Sequence, residues 1–168
     1  MTANTTNPGL KVPALTLQTV ALILISGAVG TLAFDLWGKA ISPLLGFAQL
    51  APVGLARGFL GAIGLPNNAA AGNLMHLFFV GVIAYPVGWL FIARPVIGRV
   101  IPQMPWLIAS AIYGAGLWVF AIGGITMIAG LPFFLGFTGI TWVALAGHVF
   151  YAIAAAAAVA YIERLQNR

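Results

Sequence analysis

The sequence has no cysteine and very little charge. Among its 168 residues there are seven Lys or Arg, two Asp or Glu and two His. The absence of cysteine excludes disulfides, iron–sulfur clusters, thiolate metal sites and cysteine nucleophiles. Charged residues make up 5% of the chain and hydrophobic residues 62%, whereas an ordinary soluble domain carries about 25% charged residues. The composition therefore excludes a soluble globular domain and indicates an integral membrane protein.

Patterns typical of catalysis and of nucleic-acid binding are also missing. The basic residues are scattered, and no run of them could follow a phosphate backbone, so we expect no nucleic-acid partner. No spacing suggests a Ser–His–Asp triad, and no glycine-rich phosphate loop follows a strand. Carriers usually place ionisable groups in mid-membrane, and the centres of the apolar runs have none. The sequence thus assigns no catalytic residue, and we expect that the protein is not an enzyme.

Four apolar runs are long enough to cross a bilayer, whose hydrocarbon core is about 30 Å thick. They cover residues 15–35, 73–93, 106–130 and 138–162. The first run is longer than the apolar region of a signal peptide and ends without a small-residue cleavage site, so we interpret it as a retained span. These runs predict an all-α fold, an integral membrane four-helix bundle in a single domain over residues 1–168.

The longest connection, residues 36–72, does not have the composition of an aqueous loop. Pro43, Pro52 and Pro66 interrupt it, yet the stretch from Pro52 to Leu65 is apolar. We predict that this connection lies in the membrane interface or packs over the end of the bundle. Within the second span, Pro86 predicts a kink over residues 82–86.

One short pattern occurs twice and contains both histidines of the chain. Residues 75–80 read Met-His-Leu-Phe-Phe-Val, and residues 147–152 read Gly-His-Val-Phe-Tyr-Ala. We interpret the repetition as a duplicated helical hairpin, in which the second and fourth spans are equivalent. His76 and His148 would then occupy corresponding positions.

Small residues recur at four-residue spacing in every span. They are Ser26 and Gly30, Ala84 and Gly88, Ser110 and Gly114, and Ala152, Ala156 and Ala160. This spacing lets helix backbones approach closely in lipid. The sequence leaves open whether the neighbouring helix belongs to this chain or to a partner.

The basic residues predict the orientation of the spans, because cytoplasmic loops carry an excess of Lys and Arg. Five of them fall on the side of the termini and two, Lys39 and Arg57, on the other. The five are Lys11, Arg94, Arg99, Arg164 and Arg168. We therefore predict a multi-pass protein of a bacterial-type inner membrane with both termini in the cytoplasm.

Three of the few polar side chains are predicted to share one layer near the outer edge of the membrane. His76 precedes Arg94, and His148 precedes Arg164, by similar lengths of helix, which places both histidines roughly 24–27 Å from the inner boundary. Asp35 ends the first span, which runs outward, and so reaches the same depth. The polar layer of Asp35, His76 and His148 is the candidate site.

Several interpretations of this layer are open. Asp35 could pair with Lys39 one helical turn later, with each His hydrogen-bonded to lock helices together. The histidines could instead hold a haem b, and two His with one Asp also match the ligand types of a non-haem iron facial triad. Contact of the same histidines with a quinone, a pigment or a lipid is a further alternative. We expect no resident metal and no obligatory cofactor.

A Gly-Ala-Val-Gly-Thr element at residues 27–31, with a His at the head of a later span, resembles the small four-span bacterial membrane proteins of unknown function of the YagU-like type. The resemblance covers most of the length and implies a four-span fold. It implies no activity.

Scarce reactive groups and abundant small and aromatic residues favour a non-catalytic accessory or structural subunit of a larger membrane complex, in respiration or photosynthesis. Its partners would be other membrane subunits and lipids. The alternatives are a small b-type cytochrome or quinone-binding electron carrier that uses His76 and His148, and a transporter or channel for a small solute.

The charge count makes a prediction about topology. Reporter fusions after residue 60 should report an external location, and fusions after residues 100 and 168 an internal one. An internal signal after residue 60 would contradict the predicted four-span orientation.

Overall fold

The computed structural model describes residues 12–166, and all regular structure within that range is helical. Four helices are long and apolar enough to cross a membrane: α1 (Leu17–Leu44), α3 (Ala69–Val100), α4 (Trp106–Ile128) and α5 (Gly139–Gln166). A shorter helix, α2 (Pro52–Ala62), lies between α1 and α3 in the chain. The predicted all-α four-helix bundle is confirmed, and the chain has the architecture of a multi-pass membrane protein. Lys11 and Arg168, both used in the charge count, lie outside the described residues.

The connection over residues 36–72 is mostly helical. Helix α1 continues past its predicted end to Leu44, in part as π-helical turns. Helix α3 begins at Ala69, where the Asn68 side chain accepts a hydrogen bond from the Ala71 N–H at 2.9 Å. Between them, α2 buries Ala56 and Leu60 against the bundle. The apolar sequence of this connection therefore forms a helix that covers one end of the bundle.

Helix α5 is the central element of the bundle because it packs along both α1 and α4. Helix α3 packs mainly against α1. One cluster of buried hydrophobic residues lies at the end covered by α2, and a second lies toward the opposite end. At that opposite end, Arg94 of α3 makes a two-pronged ion pair with Glu163 of α5, with N–O distances of 2.7 and 3.0 Å.

Glycines allow these helices to approach backbone to backbone. A Cβ atom at Gly27 of α1 would collide with the main chain of Val82 in α3, and one at Gly114 of α4 would lie 2.6 Å from the His148 carbonyl oxygen of α5. Both contacts are between helices of this chain. Gly114 belongs to the predicted small-residue spacing, which therefore serves internal packing at that position.

Helix α3 departs from α-helical geometry on both sides of Pro86. Residues Leu74–Ala84 and Trp89–Ala93 form π-helical turns. In this register the Tyr85 N–H donates to the Val80 carbonyl, so the next residue, Pro86, would be the donor to the Gly81 carbonyl. Proline has no N–H. The Tyr151 hydroxyl of α5 donates to that carbonyl instead, at 2.5 Å.

The connection between α4 and α5 contains a left-handed turn. Phe134, Leu135 and Phe137 have φ values of 46°, 52° and 56°, a region that costs L-residues roughly 1–2 kcal/mol each. The Thr141 hydroxyl donates to the Phe134 carbonyl at 2.6 Å, and the Trp118 ring packs on the Phe134 ring at 4.6 Å between centroids. These contacts hold the turn against the bundle.

The Tyr151 hydroxyl replaces the main-chain N–H that Pro86 lacks, and the energetic value of this hydrogen bond can be predicted. Tyr151→Phe should lower the free energy of unfolding by about 1–3 kcal/mol, because an enclosed carbonyl then loses its partner. In a Pro86→Ala background the same change should cost clearly less, since the alanine introduced there brings a main-chain N–H that can reach the Gly81 carbonyl. Denaturant unfolding in detergent of the four members of this cycle measures the coupling.

The exposed tyrosine Tyr161, which is 65% accessible, supplies the control. Tyr161→Phe should have little effect and no coupling to position 86. If Tyr151→Phe lowers the free energy of unfolding equally in both backgrounds, Tyr151 does not replace the main-chain N–H that Pro86 lacks.

Candidate functional site

A cavity of about 530 Å³ lies at the end of the bundle covered by α2. All five helices and the connection between α4 and α5 contribute to its wall, which is almost entirely apolar. Representative lining residues are Phe34, Leu55, Phe59, Val80, Ile122 and Leu135. Ligand pockets commonly measure about 300–1,000 Å³ and combine an apolar wall with a few placed polar groups. The polar groups of this wall decide what it can bind.

Asp35 and His76 meet at this end of the bundle. The Asp35 carboxylate accepts hydrogen bonds from Lys39 Nζ at 2.7 Å and from His76 Nε2 at 3.2 Å. The predicted Asp35–Lys39 pair is thus present, with His76 as a second partner. Because a carboxylate only accepts, His76 carries its proton on Nε2. In the neutral ring Nδ1 is then an acceptor, and His76 lines the cavity.

His148 is buried, with 4% of its surface accessible, and also lines the cavity. Its Nδ1 lies 2.7 Å from the Ala144 carbonyl oxygen, one turn earlier in α5. A carbonyl cannot donate, so Nδ1 carries the proton and Nε2 is an acceptor in the neutral ring. Within residues 12–166, Nε2 has no hydrogen-bond partner.

The aromatic neighbours of the histidines are not the aromatic residues of the repeated pattern. Phe34 of α1 lies next to both imidazoles, with ring centroids 5.8 Å from His76 and 5.1 Å from His148. The Tyr85 ring lies 6.1 Å from that of His148. By contrast, Phe78, Phe79 and Phe150, which follow the histidines in the repeated pattern, are 43%, 49% and 44% exposed.

Tyr85 is a polar residue of the wall that the sequence did not single out. Its hydroxyl has no hydrogen-bond partner among the described residues, although its carbonyl accepts from the Tyr113 hydroxyl at 2.5 Å. Tyr151, which also lines the cavity, uses its hydroxyl on Gly81. The sequence feature that could have indicated a role for Tyr85 is its position directly before Pro86, in a span that otherwise has few polar groups.

The geometry offers little support for a metal-binding interpretation. No group of three or more His, Cys, Asp or Glu side chains that could hold a metal ion exists within residues 12–166. Haem ligation by both histidines would require His76 Nε2 to leave Asp35, and the Phe34 ring contacts both imidazoles. The arrangement fits an organic molecule in the cavity better than an iron between the rings.

Comparisons of the chain with protein families, with characterised proteins and with solved structures found no match.

The geometry of the histidines predicts the optical spectrum. We expect the full chain, purified in mild detergent, to show no α-band in a reduced-minus-oxidised difference spectrum, because His76 Nε2 is bound to Asp35. A band that disappears in both His76→Ala and His148→Ala would contradict this expectation and favour a b-type cytochrome.

Proposed function

We propose that the protein binds a small, mainly apolar molecule from the membrane in the cavity beneath α2. The observation that carries this proposal is an apolar cavity of about 530 Å³ that His76, Tyr85 and His148 also line. Burial of apolar ligand surface supplies the affinity, and the few polar atoms fix the orientation. A binding protein of this kind needs no catalytic group.

The rim of the cavity is accessible from outside the bundle. Gly54 of α2 and Leu131, which follows α4, both line the cavity and are exposed. In a bilayer, α2 would lie at the level where lipid head groups meet acyl chains. A lipid-soluble molecule reaches such a rim from the membrane and not from water.

The proposed orientation places the cavity in the outer half of a bacterial-type inner membrane. Its support is the distribution of basic residues, with Arg94, Arg99 and Arg164 toward the end of the bundle opposite the cavity. The Arg94–Glu163 ion pair would then lie near the cytoplasmic surface.

An accessory-subunit role stays a prediction. Part of its support came from small residues, for which the sequence left open whether they pack within this chain or on a partner. Gly27, Gly30 and Gly114 face other helices of this chain, and this packing reduces the need for a partner helix. Binding of a small molecule remains compatible with membership in a larger complex.

Filling the cavity rim tests the proposal. A Cβ atom at Gly54 meets no other atom within 4 Å, so Gly54→Phe adds a ring at the rim without a clash at its first carbon. We expect this variant to lower the amount of lipid-soluble molecule that co-purifies with the chain by about tenfold, because one ring occupies part of the site. Native mass spectrometry of the full chain from membrane extracts measures the bound fraction.

Gly116→Phe is the matched control. Gly116 is also a helical glycine whose Cβ would meet nothing within 4 Å, but it lies on α4 away from the cavity. It should leave the bound fraction unchanged. Absence of any bound molecule in the unaltered chain, or equal occupancy in both variants, would contradict the proposed function.

A further inference from the structure

Two polar atoms of the cavity wall have no partner within the described part of the chain: Nε2 of His148 and the hydroxyl oxygen of Tyr85. Every fully enclosed polar side-chain atom among the described residues does have one. The two unpaired atoms therefore border open space, and both residues line the same cavity. Their ring centroids are 6.1 Å apart, so the two side chains are neighbours in the wall.

The hydrogen-bonding character of these atoms is complementary. His148 Nε2 is an acceptor, because Nδ1 donates to the Ala144 carbonyl. The Tyr85 hydroxyl can donate as well as accept. A third group, His76 Nδ1, is also an acceptor, because Nε2 donates to Asp35. The residues that line the cavity thus include two imidazoles, each with one acceptor nitrogen, and one phenol that can donate.

We infer that the ligand is an apolar alcohol or phenol whose hydroxyl donates to His148 Nε2 and accepts from Tyr85. This inference rests on the proposed function and specifies the chemical class of its ligand. Among common head groups, only a hydroxyl both donates and accepts through one oxygen. A ketone or ester carbonyl would satisfy Tyr85 but leave His148 unpaired. A carboxylate would set a charged acceptor against the histidine acceptors, at a large cost away from water.

Four probes with alkyl tails of eight or nine carbons separate head-group recognition from cavity binding. They are nonane, 1-nonanol, 4-nonylphenol and nonanoate, each titrated against the full chain in lipid nanodiscs by displacement of a fluorescent lipid probe. We expect 1-nonanol or 4-nonylphenol to bind about tenfold more tightly than nonane, since one satisfied buried hydrogen bond is worth about that factor. Nonanoate should bind more weakly than either. Whichever of 1-nonanol and 4-nonylphenol binds more tightly indicates whether the ligand is an aliphatic alcohol or a phenol.

Two single substitutions assign the preference to the proposed atoms. Tyr85→Phe and His148→Leu should each remove most of the advantage of the hydroxyl probes over nonane and leave nonane binding in place. His148→Gln should restore part of it, because the Gln carbonyl is an acceptor near the position of Nε2. Tyr161→Phe, at an exposed tyrosine outside the cavity, is the control and should change nothing.

The outcomes distinguish the inference from the proposed function. Equal binding of nonane and both hydroxyl probes, with Gly54→Phe weakening all of them, would overturn the alcohol or phenol assignment while the cavity remains a binding site. Tighter binding of nonanoate would also overturn the assignment. Loss of nonane binding in Tyr85→Phe would show that this variant damages the cavity. The alcohol or phenol assignment would then be decided by His148→Gln, through its effect on the ratio of hydroxyl-probe to nonane affinity. Failure of all four probes to bind would overturn both proposals.

Discussion

Hydrocarbon cannot hydrogen-bond the main chain, and this constraint organises the centre of the molecule. Pro86 leaves the Gly81 carbonyl of α3 without a helical donor, and the Tyr151 hydroxyl of α5 takes that place. The Tyr151 ring can reach α3 because Gly30 of α1 has no side chain, and a Cβ atom there would lie 2.7 Å from the ring. One hydrogen bond therefore depends on residues from three helices, and both residues that form it line the cavity.

The same constraint explains why unpaired polar atoms in the cavity wall indicate the kind of ligand that binds there. Polar atoms that are enclosed in the described part of the chain are paired, including Ser26, Thr126 and Thr141, whose hydroxyls all bond to carbonyls. Against this background, unpaired groups on His148 and Tyr85 stand out, because an unsatisfied polar atom in an apolar space costs about 1–3 kcal/mol. A bound hydroxyl group would remove that cost, which is how a protein with few polar residues can still select a ligand.

The sequence predicted the architecture well and the site only in part. Apolar run length alone predicts four spans, because a bilayer requires about 20 apolar residues per helix. Helical spacing also indicated that Asp35, His76 and His148 would lie at one end of the bundle. It could not show that Phe34 lies next to both imidazoles or that Phe78 and Phe79 are exposed, since these depend on helix rotation. Lipid-facing and protein-facing surfaces are equally apolar here, so periodicity carries little information about rotation.

The π-helical turns of α3 set the angular relation between its two ends. His76 and Arg94 are 18 residues apart, about five complete turns of a regular α-helix, so they would project from the same side of an unbroken helix. In the structure, His76 contacts Asp35 of α1, whereas Arg94 contacts Glu163 of α5. Each residue in a π-helical turn rotates the chain about the helix axis by a smaller angle than in an α-helix. The two ends of α3 can therefore contact two different helices. The angle about the α3 axis between His76 and Arg94 therefore depends on the number of residues between them. Loss or gain of a single residue there would change this angle and break either the His76–Asp35 or the Arg94–Glu163 contact.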